Sequence, residues 1–254
     1  MPPQLAAVYS PALMGLLAQE PELVDRIVIC SWHTQTELKE ARAHRPLVLH
    51  GMPAPFALNQ PDPFALMGVE IEQRLALAQA AWFSMSLVGQ EENEAEPPEL
   101  QPQSQLFLHT CRNALRLKQR LPAPLLLENV GCEAASRLAY ACEPLFITAV
   151  LDAVDCGFVL NVAHARLSAH NLSFDEERYF RSLPLFRVRE IRVSGPQLEN
   201  GALIDAHGPL QEQDWRALAF VLARTQPQIL TLEYVQDQTL LRQQLDRLRA
   251  LLQV

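Results

Sequence analysis

Short apolar runs recur along the chain, each followed by a longer stretch whose apolar residues return at helical spacing. The runs are Leu5 to Tyr9, Arg26 to Cys30, Pro46 to His50, Ala81 to Leu87, Pro124 to Glu128, Gly157 to Asn161, Arg187 to Val193 and Ile229 to Glu233. They are rich in Ile, Val, Leu and Phe and are nearly continuous in apolarity, as strands buried on both faces are. The helical stretches are Pro11 to Gln19, Thr34 to His44, Val69 to Ala80, Leu106 to Arg120, Pro144 to Val154, Asp175 to Arg181, Gln213 to Arg224 and Thr239 to Leu252. Strand and helix alternate eight times, which predicts a (β/α)8 TIM barrel as a single domain over residues 1–254. Two stretches lie outside this rhythm. Gly51 to Pro63 carries several prolines and reads as a loop, and residues 90–103 are acidic and Pro-rich, with nothing to bury, and read as an exposed loop.

The polar residues are not scattered evenly. Several runs end on a side chain able to bind a ligand: His50, Glu128, Asn161 and Glu233, with Ser84, Ser86, Arg192 and Ser194 near two other ends. The segment Cys156 to Asp175 changes abruptly from Gly-Phe-Val-Leu to Asn161, His164, Ser168, His170, Asn171 and Asp175. In a TIM barrel the C-terminal strand ends form the functional face. After the seventh run comes Leu-Ile-Asp-Ala-His-Gly, with Asp205 and His207 two residues apart. In extended chain that spacing puts both side chains on one side, which suits two ligands of one metal or a histidine with its carboxylate partner. Each residue alone also has an ordinary explanation: a salt-bridged glutamate, a hydrogen-bonded core histidine, a pair of turn residues. The argument for a polar site is that so many strands end in the same way.

Composition narrows the class. The chain of 254 residues, 49% of them hydrophobic, can bury a large core. A formal net charge of −8 argues against nucleic acid as the main partner. The five cysteines are odd in number, lack a CxxC spacing and sit in or beside apolar runs, which predicts reduced thiols and a cytoplasmic protein. The N-terminal segment has no basic region of the kind a secretory signal carries, and no apolar run is long enough to span a bilayer.

The segments Leu47 to Gly51 (LVLHG), Leu125 to Val130 (LLLENV), Cys156 to Asp175 and Leu203 to His207 (LIDAH), with Leu-Glu-Tyr at Glu233, resemble the multinuclear non-haem iron oxidases. That family includes the methanobactin-biosynthesis oxidase. The resemblance implies a barrel that binds iron and oxidatively modifies cysteine-containing ribosomal peptides in natural-product maturation, beside a partner protein that holds the peptide's leader. It places His50, Glu128, Asp205, His207 and Glu233 at metal-facing positions. This sequence departs from the family pattern at Ser86, where a histidine is usual nearby, at Asn161, where an aspartate is usual, at Leu172, and at Arg192, where a histidine is usual. Arginine is cationic and is no metal ligand. Its guanidinium could fill an ion's place and pair with Glu128, Asp205 or Glu233, leaving room for one ion or none.

Two main functional expectations follow. One is an iron-dependent oxidase of a cysteine-containing peptide, with Glu128, Asp205, His207, Glu233 and His50 as ligands and His164 and His50 as acid/base groups. The other is a catalytically degenerate barrel that acts as a binding or scaffolding subunit, with the acidic loop as an interaction segment. A further reading, another metal-dependent barrel such as a sugar isomerase or an abasic-site endonuclease, is opposed for the endonuclease by the net acidity.

Overall fold

The structure, a computed structural model, describes residues 2–52, 56–66, 70–89, 103–132 and 139–252. The expected strands form. They are β1 (Gln4–Val8), β2 (Arg26–Cys30), β3 (Leu47–His50), β4 (Phe83–Ser86), β5 (Leu125–Glu128), β6 (Gly157–Asn161), β7 (Val188–Val193) and, after a hairpin, β10 (Ile229–Leu232). They close a parallel barrel in the order β1-β10-β7-β6-β5-β4-β3-β2. Around it run α1 (Pro11–Gln19), α2 (Gln35–His44), α3 (Glu70–Ala78), α4 (Gln103–Arg120), α5 (Pro144–Val154), α8 (Glu212–Leu222) and α9 (Gln238–Leu252), with α6 and α7 described below.

The period of two along each strand divides the core in two. Leu5, Ile27, Leu49, Phe83, Leu127, Leu160, Ile191 and Leu232 point outward and join the large cluster under the helices. Their alternates Ala6, Val28, Val48, Leu126, Val159 and Ile229 form a separate cluster with Trp82, inside the barrel. Each buried Leu, Ile or Phe contributes about 1.5–3 kcal/mol relative to exposure. The inner face is apolar only along its lower part. Continuing along the same alternation brings Glu190 and Thr231, and then His50, Ser84, Glu128, Asn161, Arg192 and Glu233, to the C-terminal mouth.

The structure differs from the sequence reading in two places near the mouth. The segment after Asn161, to which the sequence reading assigned no helix, forms α6 (Val162–Asn171), whose residues 162–169 are all buried. Asn161 caps it, its Oδ1 accepting from the His164 backbone N–H at 3.2 Å, an arrangement worth about 1 kcal/mol. The Leu-Ile-Asp-Ala-His-Gly stretch belongs to an antiparallel hairpin, β8 (Gly195–Glu199) with β9 (Ala202–Gly208), that packs on α6. Its turn is Asn200-Gly201, both at positive φ, as the tight turns of hairpins require. The next helix, α7 (Glu176–Ser182), is capped by Asp175, whose carboxylate accepts from Arg178 N at 2.8 Å. The acidic segment expected at about 90–103 lies outside the described residues except for Gln103, the first residue of α4.

Candidate functional site

Strand period and register bring Glu128 of β5, Asn161 of β6, Arg192 of β7 and Glu233, one residue beyond β10, to one place in the barrel mouth. Two nitrogen donors sit between the two glutamates. Asn161 Nδ2 donates to Glu128 Oε1 at 3.0 Å and to Glu233 Oε2 at 2.9 Å. Arg192 Nη1 lies 3.0 Å from Glu128 Oε2 and 3.5 Å from Glu233 Oε1. All four carboxylate oxygens therefore face a nitrogen donor, although the contact from Arg192 to Glu128 Oε2 lacks the alignment of a hydrogen bond.

Arg192 is held in place from below as well. Its Nε donates to Glu190 Oε1 at 2.8 Å and its Nη2 donates to Ser84 Oγ at 2.8 Å. Glu190 is fully buried and also accepts from Thr231 Oγ1 at 2.8 Å and from Trp82 Nε1 at 2.9 Å. A buried carboxylate that is paired and accepts several hydrogen bonds is stable where a lone one is not. Ser84 was among the strand-end residues the sequence offered, whereas Glu190, Thr231 and Trp82 were not singled out by the sequence reading. For Glu190 the signal was present: it stands two residues before Arg192 and so on the same face of β7.

A second group faces the first. His164, on the first turn of α6, is held at both ring nitrogens. Nδ1 lies 2.9 Å from the backbone carbonyl of Asn129 and Nε2 lies 3.0 Å from Asp205 Oδ2. A carbonyl and a carboxylate only accept, so both nitrogens carry protons and the ring is an imidazolium. Its pKa is accordingly raised to about 9: burial opposes the charge, and the hydrogen bond and charge of Asp205, with the charges of Glu128 and Glu233, outweigh it. Asp205 is held below the usual carboxylate range, burial being outweighed by His164. His207 Nε2 lies 3.3 Å from the same Asp205 oxygen, but this ring is 49% exposed and its residue sits at φ 45°, off the extended geometry that the D-x-H spacing suggested.

The remaining groups divide by charge. His50 is pushed down to about 3, by burial first and then by the Arg192 charge. It is neutral, and its 3.7 Å approach to Glu128 is a contact rather than an ion pair. Ser84 accepts from Arg192, and its Oγ lies 3.0 Å from His50 Nδ1. For Glu128 burial acts to raise the pKa, but Arg192, the two histidines and Asn161 together hold it below its usual value. Glu233 is raised to about 7, by burial and by the charge of Glu128.

The structure thus gathers His50, Glu128, Asn161, His164, Arg192, Asp205 and Glu233, with His207 at the edge. Ser86 is half-buried and registers with Glu128, while the hydroxyl that joins the cluster is that of Ser84. The other polar residues of the segment Cys156 to Asp175 face elsewhere. Asn171 clasps the hairpin, donating to Leu203 O at 2.9 Å and accepting from Leu203 N at 3.1 Å. His170 Nε2 lies 3.0 Å from Gly201 O, and Ser168 accepts from Cys132 N at 3.0 Å.

Nitrogen and carboxylate ligands of iron need free lone pairs converging on one point. Both His164 nitrogens carry protons, and the oxygens of Glu128 and Glu233 face Arg192 and Asn161. The donors present therefore do not fit a multinuclear centre. Among the described residues no group of three or more His, Cys, Asp or Glu side chains is arranged to hold a metal ion. Among them, too, no helix is long and apolar enough to cross a membrane.

Residues 25–253 match the family described as RiPP precursor modification enzyme MbnB/TglH/ChrH. A UPF0276 protein of Caulobacter vibrioides is 28% identical over 213 residues, covering 79% of this chain and 74% of that one. UPF0276 protein Anae109_1558 of Anaeromyxobacter sp. is 29% identical over 176 residues, covering 67% of this chain but only 61% of its own length. In solved structures the barrel is similar to a D-tagatose 3-epimerase-like protein (TM-score 0.66, 12% identity, 98% of this chain and 96% of that one). It is also similar to the TTHB071 protein of Thermus thermophilus, soaked with ZnCl2 (TM-score 0.57, 20% identity, 96% and 98%). At these identities the structural likeness shows the fold alone.

Proposed function

The chain belongs to the family of RiPP precursor modification enzymes MbnB/TglH/ChrH, and from that premise we propose that it is a peptide-binding barrel in which a guanidinium takes the place of the iron centre. A cysteine-containing ribosomal peptide is the ligand, received at the strand-end face. A partner protein holds the leader of that peptide, as the resemblance to the iron oxidases implies. One observation carries this reading: Arg192 and Asn161 together face all four oxygens of Glu128 and Glu233. The carboxylates that metal charge would otherwise balance are already balanced by protein.

Metal analysis of protein made in iron-supplemented medium and purified without oxygen tests the proposal. The expected content of any transition metal is below about a tenth of an equivalent, because a resident site shows real occupancy. Half an equivalent or more would overturn it, the threshold following from that same requirement.

One feature favours a second reading, an iron-dependent oxidase with a single ion. Asp205 Oδ1 is buried and has no hydrogen-bond partner among the described residues, and the exposed His207 ring stands beside it. On that reading metal is present and is lost in Asp205→Ala and in His207→Ala, and a cysteine peptide is consumed in air by the wild type but not by those variants.

A further inference from the structure

Trp32 is an exposed aromatic ring that the fold holds in one place. It lies in the turn between β2 and α2 and is 52% exposed, whereas Trp82 and Trp215, the other two tryptophans, are buried. Its indole rests on the backbone of Gly51, the residue that follows His50. A Cβ at Gly51 would come within 2.7 Å of Trp32 Cζ3, and Gly51 sits at φ +69°, so that position is doubly suited to glycine. The ring also stacks on His33, with centroids 6.5 Å apart and planes at 19°, and His33 in turn packs edge-on against Tyr9. The turn is tied to the mouth of the barrel by the Ser31 N–H, which donates to His50 O at 2.9 Å.

Trp32 is half exposed and rests on a glycine one residue from His50. Rigid aromatic rings presented at the edge of a pocket bind with little loss of side-chain freedom. The contrast with the pocket is chemical. The interior offers charged and hydrogen-bonding groups, and Trp32 offers a flat uncharged face beside them.

We infer that Trp32 is the platform for an aromatic or aliphatic side chain of the peptide ligand, at a set distance along the chain from the residue that enters the barrel. This rests on the peptide reading above and adds to it a residue that selects the sequence.

The test uses the full chain, immobilised, and a displayed library of dodecapeptides with a central cysteine and randomised flanks. Wild-type protein is expected to enrich peptides with an apolar residue at one fixed offset from the cysteine. Trp32→Ala is expected to lose that preference and to bind the selected peptide about five- to tenfold more weakly, the scale of one aromatic contact. Trp32→Phe keeps a ring and should restore most of the binding. Gly51→Ala, whose methyl displaces the indole, should weaken binding as Trp32→Ala does. In wild type the selected peptide should also shield tryptophan emission from acrylamide, because Trp32 is the exposed tryptophan. If wild type and Trp32→Ala enrich the same sequences, the platform is refuted while the peptide reading stands. If neither enriches any peptide over an unrelated barrel, the peptide reading falls and the platform with it.

Discussion

Replacing Arg192 with methionine removes the guanidinium while keeping much of the side chain's length. Three buried carboxylates then lose their shared cation: Glu190 at 2.8 Å, Glu128 at 3.0 Å and Glu233 at 3.5 Å. Breaking a buried pair on one side costs about 3–5 kcal/mol. At about 2–4 °C per kcal/mol for a chain of this size, the melting temperature should fall by roughly 6–20 °C. Proton uptake limits the loss. Glu233 already has its pKa raised to about 7, and Arg192 acts to lower the pKa of both Glu233 and Glu128, so without it both carboxyls move upward. A carboxyl with a raised folded pKa stabilises the fold below its unfolded pKa, and that contribution is lost as pH climbs through the folded value. The variant should therefore be far weaker than wild type at pH 8 and much closer to it at pH 5. Urea unfolding of both proteins at the two pH values measures this. A deficit under about 1 kcal/mol at pH 8, the size of an exposed pair, or an equal deficit at both pH values, would refute the claim that Arg192 is the counter-charge of this pocket.

Three further outcomes are expected. The pKa of His164 is raised from 6.5 to about 9, so its contribution is complete below pH 6.5 and lost as pH rises through 9. Wild-type stability should thus decline between pH 7 and 9 by up to ~3 kcal/mol, and Asp205→Asn, which removes the main counter-charge of the ring, should flatten that decline in urea titrations. His50 acts in the opposite sense: its depressed pKa, about 3, makes stability fall as pH drops below 6.5. Asn161→Asp exchanges the amide that joins Glu128 to Glu233 for a third carboxylate, and should lower the melting temperature by several degrees at pH 7.5, with iron(II) recovering part of the loss; no recovery would count against a latent ion site there. Asn171→Ala removes both hydrogen bonds to Leu203 and should cost about 1–2 kcal/mol locally, seen as faster amide exchange in β9 with the barrel strands unchanged.

The barrel could be read from the chain because its strands announce themselves twice: apolar runs for burial, and ligand-type residues at their ends. Helix α6 could not be read in this way. A surface helix shows an apolar stripe, but residues 162–169 are buried all round, so the period that marks a helix is missing, and its His, Ser and Asn look like loop chemistry. Their partners come from elsewhere in the chain: Asp205, Cys132 and Leu203. The hairpin carried a legible turn signal in Asn200-Gly201, followed by the apolar Ala202 to Ile204. At the site, sequence spacing placed Glu128, Asn161, Arg192 and Glu233 at strand ends, and from there a barrel brings them together. It could not show that Arg192 also reaches down to Glu190, because the Trp82 and Thr231 groups that support Glu190 lie just before β4 and on β10.

That downward contact bears on how the pocket can change. Arg192 and Glu190 stand on one strand, two residues apart, and neutralise each other. Replacing the arginine alone leaves a glutamate buried in the barrel without its charge partner, and replacing the glutamate alone leaves less negative charge around the guanidinium. Replacing both still leaves Glu128 and Glu233 without the cation that faces them. Arg192 therefore couples the mouth of the barrel to its interior: the charge that faces Glu128 and Glu233 cannot be altered without also altering what surrounds the buried Glu190.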